Sequence, residues 1–251
     1  DLLRDPSLSV AQRSNYIDIL ARNGENHSVI INDILDLSKV EAGHLTLEFT
    51  ETRPEQVLED VISLLRIKAK EKDLSLELAM DATIPASIVS DPTRVRQILM
   101  NIVGNAIKFT PYGSVKIRAY GLRQDDGRLG LGFEISDTGI GIPTDQREKI
   151  FEMFVQADGS TTRRFGGTGL GLALSRSLAR SLGGDVRILR SEPGKGSVFS
   201  VTIGDHPERR EISSRAASPA PSESQNPERA LEGVRVLIVD DVISAGTSVR
   251  E

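Results

Sequence analysis

Between Ala11 and Ala42 the chain carries no proline, and Ile17, Leu20, Gly24, His27, Ile31, Ile34 and Ser38 follow one another at alternating spacings of three and four residues. That spacing is a heptad seam and predicts one long helix. Ile30, Leu35 and Leu37 widen the apolar face beyond a two-stranded seam, which favours a bundle over a simple coiled coil. Gly43 stands where a glycine C-cap would end the helix. The opening Asp1–Leu3 reads as the tail of an earlier helix closed by Asp5 and Pro6, so 1–44 is expected to be part of a helical hairpin.

Past this point the period changes. Leu45–Phe49 and Leu74–Leu78 alternate as strands do, and 54–72 is amphipathic with Pro54 in a first-turn position. A second helix is predicted from Pro92 to Phe109. Strands follow at 115–119 and 131–135, joined by the polar turn 124–127. A helix over 171–182 comes after a glycine-rich stretch, and two strands, 185–190 and 198–203, flank the turn Pro193–Gly196. Because strands and helices do not alternate strictly, 45–204 is expected to be an α+β layered domain and not a doubly wound parallel sheet. From Asp205 to Glu232 large apolar residues nearly vanish and Pro, Ser, Ala, Glu and Arg dominate, which predicts a disordered linker. The stretch 233–251 then holds a buried-strand pattern, Val234–Asp241, that cannot fold alone and reads as the start of a truncated domain.

Composition narrows the chemistry. Lys and Arg number 31 against 36 Asp and Glu, a net charge of −5, so no global field is available to hold nucleic acid. The absence of cysteine removes disulfides, thiol catalysis and Cys-ligated zinc. His27, His44 and His206 lie too far apart to suggest a zinc cluster. No apolar run approaches the length of a spanning helix and no signal peptide opens the chain, so a cytoplasmic location is expected, with any membrane anchor in parts of a parent outside these residues.

Three clusters carry the candidate chemistry. Asn101, Asn105 and Lys108 share one face of the second predicted helix of the α+β region. An amide oxygen can ligate hard Mg²⁺ and a lysine can neutralise phosphate oxygens, although a plain solvated face would look the same. Asp137, Gly139 and Gly141 form a strand-to-helix turn whose glycines permit close backbone approach and whose carboxylate could accept from an exocyclic amine. Gly166–Leu172 leads into a helix, where exposed N–H groups make an anion cradle. This last stretch has neither the Gly-Lys-Ser/Thr of a P-loop nor the position of a Rossmann turn.

Taken together and in this order, the clusters resemble the N, G1 and G2 boxes of the sensor histidine kinases, members of the ATPase superfamily that includes type II topoisomerases and mismatch-repair ATPases. Phe151–Phe154 is similar to that family's F box, Gly194–Phe199 to its closing turn and strand, and Ile31–Gly43 to the second helix of its dimerisation bundle. The resemblance implies a dimerisation bundle followed by an ATP-binding α/β sandwich. It implies further that Asn105 ligates Mg²⁺ and that Asn101 and Lys108 approach the phosphates. Asp137 would bond the adenine amine beside Gly139 and Gly141, and Thr168, Gly169, Leu170 and Gly171 would cover the phosphates. Phe154 would belong to a mobile lid over 156–165. The implied partners are a second copy of the chain and a response regulator or receiver domain.

The family's phosphoacceptor histidine, followed by an acid and usually by Arg-Thr-Pro, has no counterpart here. His27 is followed by Ser28 and Val29 and reads as a seam residue. The chain is therefore expected to bind nucleotide without labelling itself. A nucleotide-binding signalling scaffold without kinase chemistry is the alternative from another class; an ATP-driven clamp of the topoisomerase type fits the N-terminal heptad helix less well. In the last stretch, Asp240 and Asp241 resemble the Mg²⁺-binding acids of a receiver domain, which would make the parent a hybrid kinase, while 239–248 also resembles the phosphoribosyl-pyrophosphate loop of phosphoribosyltransferases.

Overall fold

A computed structural model describes residues 8–123, 127, 129–155 and 169–208, all within the first of two compact units, Asp1–Arg215 and Ala216–Glu251. The expectations for the first helix tail, 124–126, the lid 156–165, Thr168, the linker beyond Glu208, and Asp240 and Asp241 lie outside the described residues.

Ser9 opens the first helix with a capping box: its hydroxyl accepts the Gln12 N–H (3.2 Å) and the Gln12 side chain accepts the Ser9 N–H (3.0 Å). Helix α1 (Val10–Glu41) ends as expected, on Gly43 in a left-handed conformation (φ +68°), with the His44 N–H donating back to the Lys39 carbonyl (2.8 Å). The following Leu45–Phe49 is not the strand that its alternation suggests. Leu45 and Leu47 pack against the core and Phe49 is buried, but no ladder forms, and the Glu48 N–H is taken by the Asp91 carboxylate (3.0 Å). Pairing starts one step later, where β1 (Thr50–Thr52) meets β3 (Ile88–Ser90) antiparallel. β3 is a short element that the sequence pattern did not disclose.

Between them lie α2 (Pro54–Lys70), with proline in its first turn, and β2 (Ser75–Met80). Helix α3 (Pro92–Phe109) starts on Asp91, whose side chain accepts the N–H groups of Thr93 (3.0 Å) and Arg94 (3.1 Å). Strands β4 (Ser114–Arg123) and β5 (Leu129–Asp137), helix α4 (Gly171–Ser181), and strands β6 (Asp185–Glu192) and β7 (Gly196–Gly204) complete the described residues' regular elements. The large sheet runs β2-β4-β5-β7-β6; β2 pairs β4 parallel and the other neighbours are antiparallel. Helices α2, α3 and α4 cover one face of it, so the expected α+β sandwich is the fold.

Alternation along the strands decides which face is covered. Val115, Ile117 and Ala119 of β4, Leu131, Phe133 and Ile135 of β5, and Val201 and Ile203 of β7 are at most 1% exposed. They meet Val95, Ile98, Leu99 and Ile102 of α3, which recur at helical spacing. The other face carries exposed charge, such as the Lys116–Glu77 pair (3.0 Å). On α3 the buried stripe leaves Asn101, Asn105 and Lys108 on a separate, partly exposed face. Contact between α1 and the sandwich is specific: Leu37 is buried, and Asp36 accepts from Arg94 (2.7 Å) and Gln97 (3.1 Å). After β7 the chain stays attached through His206, whose N–H donates to the Val89 carbonyl (3.0 Å), while Asp205 accepts the Val89 N–H (2.7 Å).

Candidate nucleotide site

Two loops and the polar face of α3 converge at one end of the sandwich. On α3, the Asn101 amide Nδ2 donates to the Ser175 hydroxyl of α4 (2.8 Å), and Asn105 Nδ2 donates to Asn101 Oδ1 (3.3 Å). The approach of the two helices depends on Gly171: a Cβ there would lie 2.4 Å from Asn101 Oδ1. Lys108 is held below the ordinary lysine range, first by burial and then by the like charge of Lys72. Lys72 donates to the carbonyls of Ile107 (2.9 Å) and Lys108 (2.7 Å), adding a second cation at the negative end of α3.

Asp137 ends β5 and is only 8% exposed. Burial pushes its carboxyl above the ordinary range, opposed by N–H donors from Gly139 (2.8 Å) and Ser197 (3.3 Å) on Oδ1. Gly139 passes so close to the Phe109 carbonyl that a Cβ would sit 2.5 Å from it, and Gly141 (φ +68°) would bring one to 1.9 Å of the Glu192 carbonyl. These glycines therefore let the loop lie flat between α3 and the β6–β7 turn. That turn is fastened to the loop: the Ile142 N–H donates to Ser191 Oγ (2.7 Å), Ser191 and Ser197 hydroxyls pair (2.9 Å), and Arg147 donates to the Ser191 carbonyl. The loop does not lead into the expected α-helix. Pro143 is followed by two single 3₁₀ turns, Thr144–Gln146 and Lys149–Phe151, too short to be amphipathic. A cavity of about 240 Å³ touches Asp137 and Ser197 from the side of Arg190 and Lys195 but includes none of Asn101, Asn105 and Lys108, so it is not the phosphate end.

Phe154 is 67% exposed with φ +61°, and its N–H donates to the Gly169 carbonyl (3.1 Å), joining the two ends of the stretch 155–168. Leu170, buried, precedes the first turn of α4, whose N-terminus carries no side-chain cap. The N-terminus of a helix, its positive end, attracts an anion. Thus the sequence-derived residues Asn101, Asn105, Lys108, Asp137, Gly139, Gly141, Phe154, Gly169, Leu170 and Gly171 belong to elements grouped around α3, the Asp137 loop and the start of α4. Lys72, Ser175, Ser191 and Ser197 were not singled out. Ser175 was legible only as one of several polar residues on that helix, one turn beyond Gly171.

The donor set suits a cation that arrives with its nucleotide. Among the described residues no cluster of three His, Cys, Asp or Glu could hold a metal by itself. Asn105 Oδ1, however, receives no hydrogen bond from the described residues, while its Nδ2 is engaged. One neutral oxygen beside a phosphate-attracting end fits Mg²⁺ bound mainly by phosphates and water.

Space at the α3–α4 contact gives a test. Alanine is the better helix former by about 0.5–1 kcal/mol, but overpacking costs about 1–3 kcal/mol. With Asn101 Oδ1 so close, Gly171→Ala should lower the melting temperature despite its propensity, and calorimetry on the variant checks the sign.

Residues 90–207 match the family model described as "Histidine kinase-, DNA gyrase B-, and HSP90-like ATPase". The fold and site thus define an ATPase domain of that type. Over 192 residues the chain is 40% identical to the signal transduction histidine-protein kinase BarA of Escherichia coli (strain K12), covering 76% of this chain and 21% of the relative. It is 38% identical over 249 residues to the autoinducer 2 sensor kinase/phosphatase LuxQ of Vibrio parahaemolyticus, covering 96% of this chain and 28% of the relative. The structure of full-length ShkA in complex with AMPPNP superposes with a TM-score of 0.66 at 33% identity, covering 82% of this chain and 42% of that one. The chain belongs to the sensor histidine kinases and contains their ATP-binding catalytic domain. It spans about a quarter of the length of the curated relatives BarA and LuxQ, 21% and 28%.

Proposed function

We propose that this chain is the catalytic core of a hybrid sensor histidine kinase that passes the γ-phosphoryl group of ATP to a histidine on a bundle helix, releasing ADP. The acceptor is a histidine other than His27, His44 and His206. The observation that carries this reading is that the loop after the buried carboxylate Asp137 is fastened to the end of α3, the helix that carries Asn105, by the Ile140 N–H donating to the Phe109 carbonyl (3.3 Å). Asp137 accepts the adenine amine, Asn105 ligates Mg²⁺, and Lys108, Asn101 and the start of α4 with Thr168, Gly169, Leu170 and Gly171 face the phosphates. Mg²⁺, when bound with the nucleotide, neutralises phosphate charge. The protein supplies position and fixed dipoles, since phosphoryl transfer leaves little covalent work. Phe154 and 156–165 act as the lid.

The pH dependence of nucleotide affinity tests the Asp137 assignment. Only the ionised carboxyl is a pure acceptor for the amine. Its pKa is raised by burial, so the charged form is lost on acidification at a higher pH than for an ordinary aspartate. Affinity for a non-hydrolysable ATP analogue should therefore fall as pH drops from neutrality towards the usual carboxylate range. Asp137→Asn should flatten the profile and weaken binding by about 1–3 kcal/mol. Calorimetric titrations across that range check both.

The proposed domain plan assigns 1–44 to the dimerisation bundle, 45–204 to the catalytic domain, 205–232 to a linker and 233–251 to the start of a receiver-like domain, with Asp240 and Asp241 as its Mg²⁺ ligands. Similarity to LuxQ over 96% of the chain supports this plan, because the match extends over nearly all of it, beyond the catalytic domain alone. A response regulator or receiver domain would then be the partner. Among the described residues no helix is long and apolar enough to cross a membrane. A second copy of the chain is the partner for α1, where Ile17, Leu20, Ile31 and Ile34 are between 41% and 57% exposed. Ile31→Glu would bury a charge in that seam. It should give a monomer by light scattering that still binds ATP; surviving dimers would place the interface elsewhere.

A further inference from the structure

An α-helix ends on four carbonyls without intrahelical partners and carries roughly half a negative charge there. That end is a poor neighbour for a polyphosphate, yet Lys108, in the last turn of α3, is the lysine assigned to the phosphates. Among the described residues, three groups cover the four carbonyls. Ala106 accepts the Thr110 hydroxyl (2.7 Å) and Phe109 accepts the Ile140 N–H (3.3 Å). The two between them, Ile107 and Lys108, both accept the Lys72 ammonium, at 2.9 and 2.7 Å. A hydroxyl or an amide satisfies a carbonyl without changing the charge of the helix end, whereas Lys72 adds a full positive charge to it. The α2–β2 turn holds Lys72 within reach. Its N–H and that of Leu74 donate to the Ala69 carbonyl (3.1 and 3.0 Å), and Asp73 between them is left-handed (φ +54°), a conformation glycine usually fills. The Ser75 N–H then donates to the Gly113 carbonyl (3.1 Å), fixing the turn against the loop that leaves α3. The charge of Lys72 is felt by Lys108, which is held below the ordinary lysine range first by burial and then by Lys72.

We propose that Lys72 belongs to the phosphate side of the nucleotide site: seated on the last carbonyls of α3, its ammonium offsets the negative helix end so that a triphosphate can lie against Lys108. The inference rests on the reading of Lys108 as a phosphate-facing residue and adds a cation that no phosphate need touch. Its effect is one of charge. It therefore acts on the phosphates and not on the base, and it fades as salt screens the exposed ammonium. A mere helix cap would behave otherwise. Fraying of α3 would shift the Phe109 carbonyl and with it Gly139 and Ile140 beside Asp137, weakening base and phosphates alike.

The test is a pair of titrations of the whole chain in chelator, one with adenosine and one with a non-hydrolysable ATP analogue, read as the ratio of the two affinities. Chelator keeps the full phosphate charge in play and leaves the metal out. Lys72→Gln retains an N–H donor and removes the charge. It should lower the ratio by about two- to fivefold, the range for one charge at a helix end, through the analogue alone. Raising the ionic strength to about 1 M, where the Debye length is about 3 Å, should shrink that difference between wild type and variant. Lys72→Arg, which keeps the charge, should keep the ratio. A wild-type ratio in Lys72→Gln, equal losses for adenosine and analogue, or a loss in Lys72→Arg as large as in Lys72→Gln would each overturn the proposal. Lys108→Met separates the two claims. If it leaves the ratio intact, the phosphate reading of this end has itself failed; if it lowers the ratio while Lys72→Gln preserves it, only the role of Lys72 is wrong.

Discussion

Replacing Asn105 by alanine is expected to remove the Mg²⁺-dependent part of ATP binding while leaving the sandwich folded. The side chain is partly exposed, with its nitrogen on Asn101 and its oxygen free of donors among the described residues, so truncation opens no core cavity and leaves no buried charge. The neighbouring core contacts of α3, through Ile102 and Ala106, are untouched. What is lost is the side-chain oxygen that the proposed reading assigns to Mg²⁺. On that reading the triphosphate would keep Lys108 and the start of α4 and lose the contribution of the metal. Asn105→Asp should behave differently: the added negative charge retains an oxygen donor, so binding survives with an altered metal dependence. Isothermal titration with a non-hydrolysable analogue, with and without Mg²⁺, reads both variants. An unchanged Mg²⁺-dependent affinity in Asn105→Ala would remove the assignment.

How much of this could be read in advance depends on the range of the interaction. Asp91 followed by Pro92, with apolar residues at helical spacing, announces α3 and its polar face because caps and periodicity are local. Gly43 likewise announces the end of α1, and the glycines at 139, 141 and 171 mark places where backbone or side chains come close. Leu45–Phe49 misleads because alternation reports which side chains face the core and not whether a neighbouring strand exists; the Glu48 N–H finds a carboxylate 43 residues away instead. The expected helix after Gly141 is replaced by two single 3₁₀ turns, in a stretch that a contact outside any local pattern ties to the β6–β7 turn, Arg147 donating to the Ser191 carbonyl. Lys72 on the end of α3 and Ser175 behind Asn101 escape any local pattern. Each acquires its role from packing between segments 35 and 74 residues apart.

The second large effect concerns phosphoryl transfer. The chain is expected to bind ATP without labelling itself, since none of its three histidines has the following acid and Arg-Thr-Pro that the family resemblance calls for. His27 is the only one on α1, and it lies exposed ten residues before Leu37, where α1 touches the sandwich. Ten residues of helix span about 15 Å, whereas transfer needs reacting atoms about 3–3.5 Å apart. On the proposed assignment of the nucleotide site, a histidine delivered correctly should be used. The decisive measurement is acid-labile incorporation from γ-labelled ATP, made on this chain alone and on the same chain preceded by a helix bearing such a histidine. The account predicts no label on the first and label on the added histidine of the second, lost in Asn105→Ala. Label on the chain alone that disappears with His27→Gln, or none on the extended chain although it binds Mg²⁺–ATP, would contradict it.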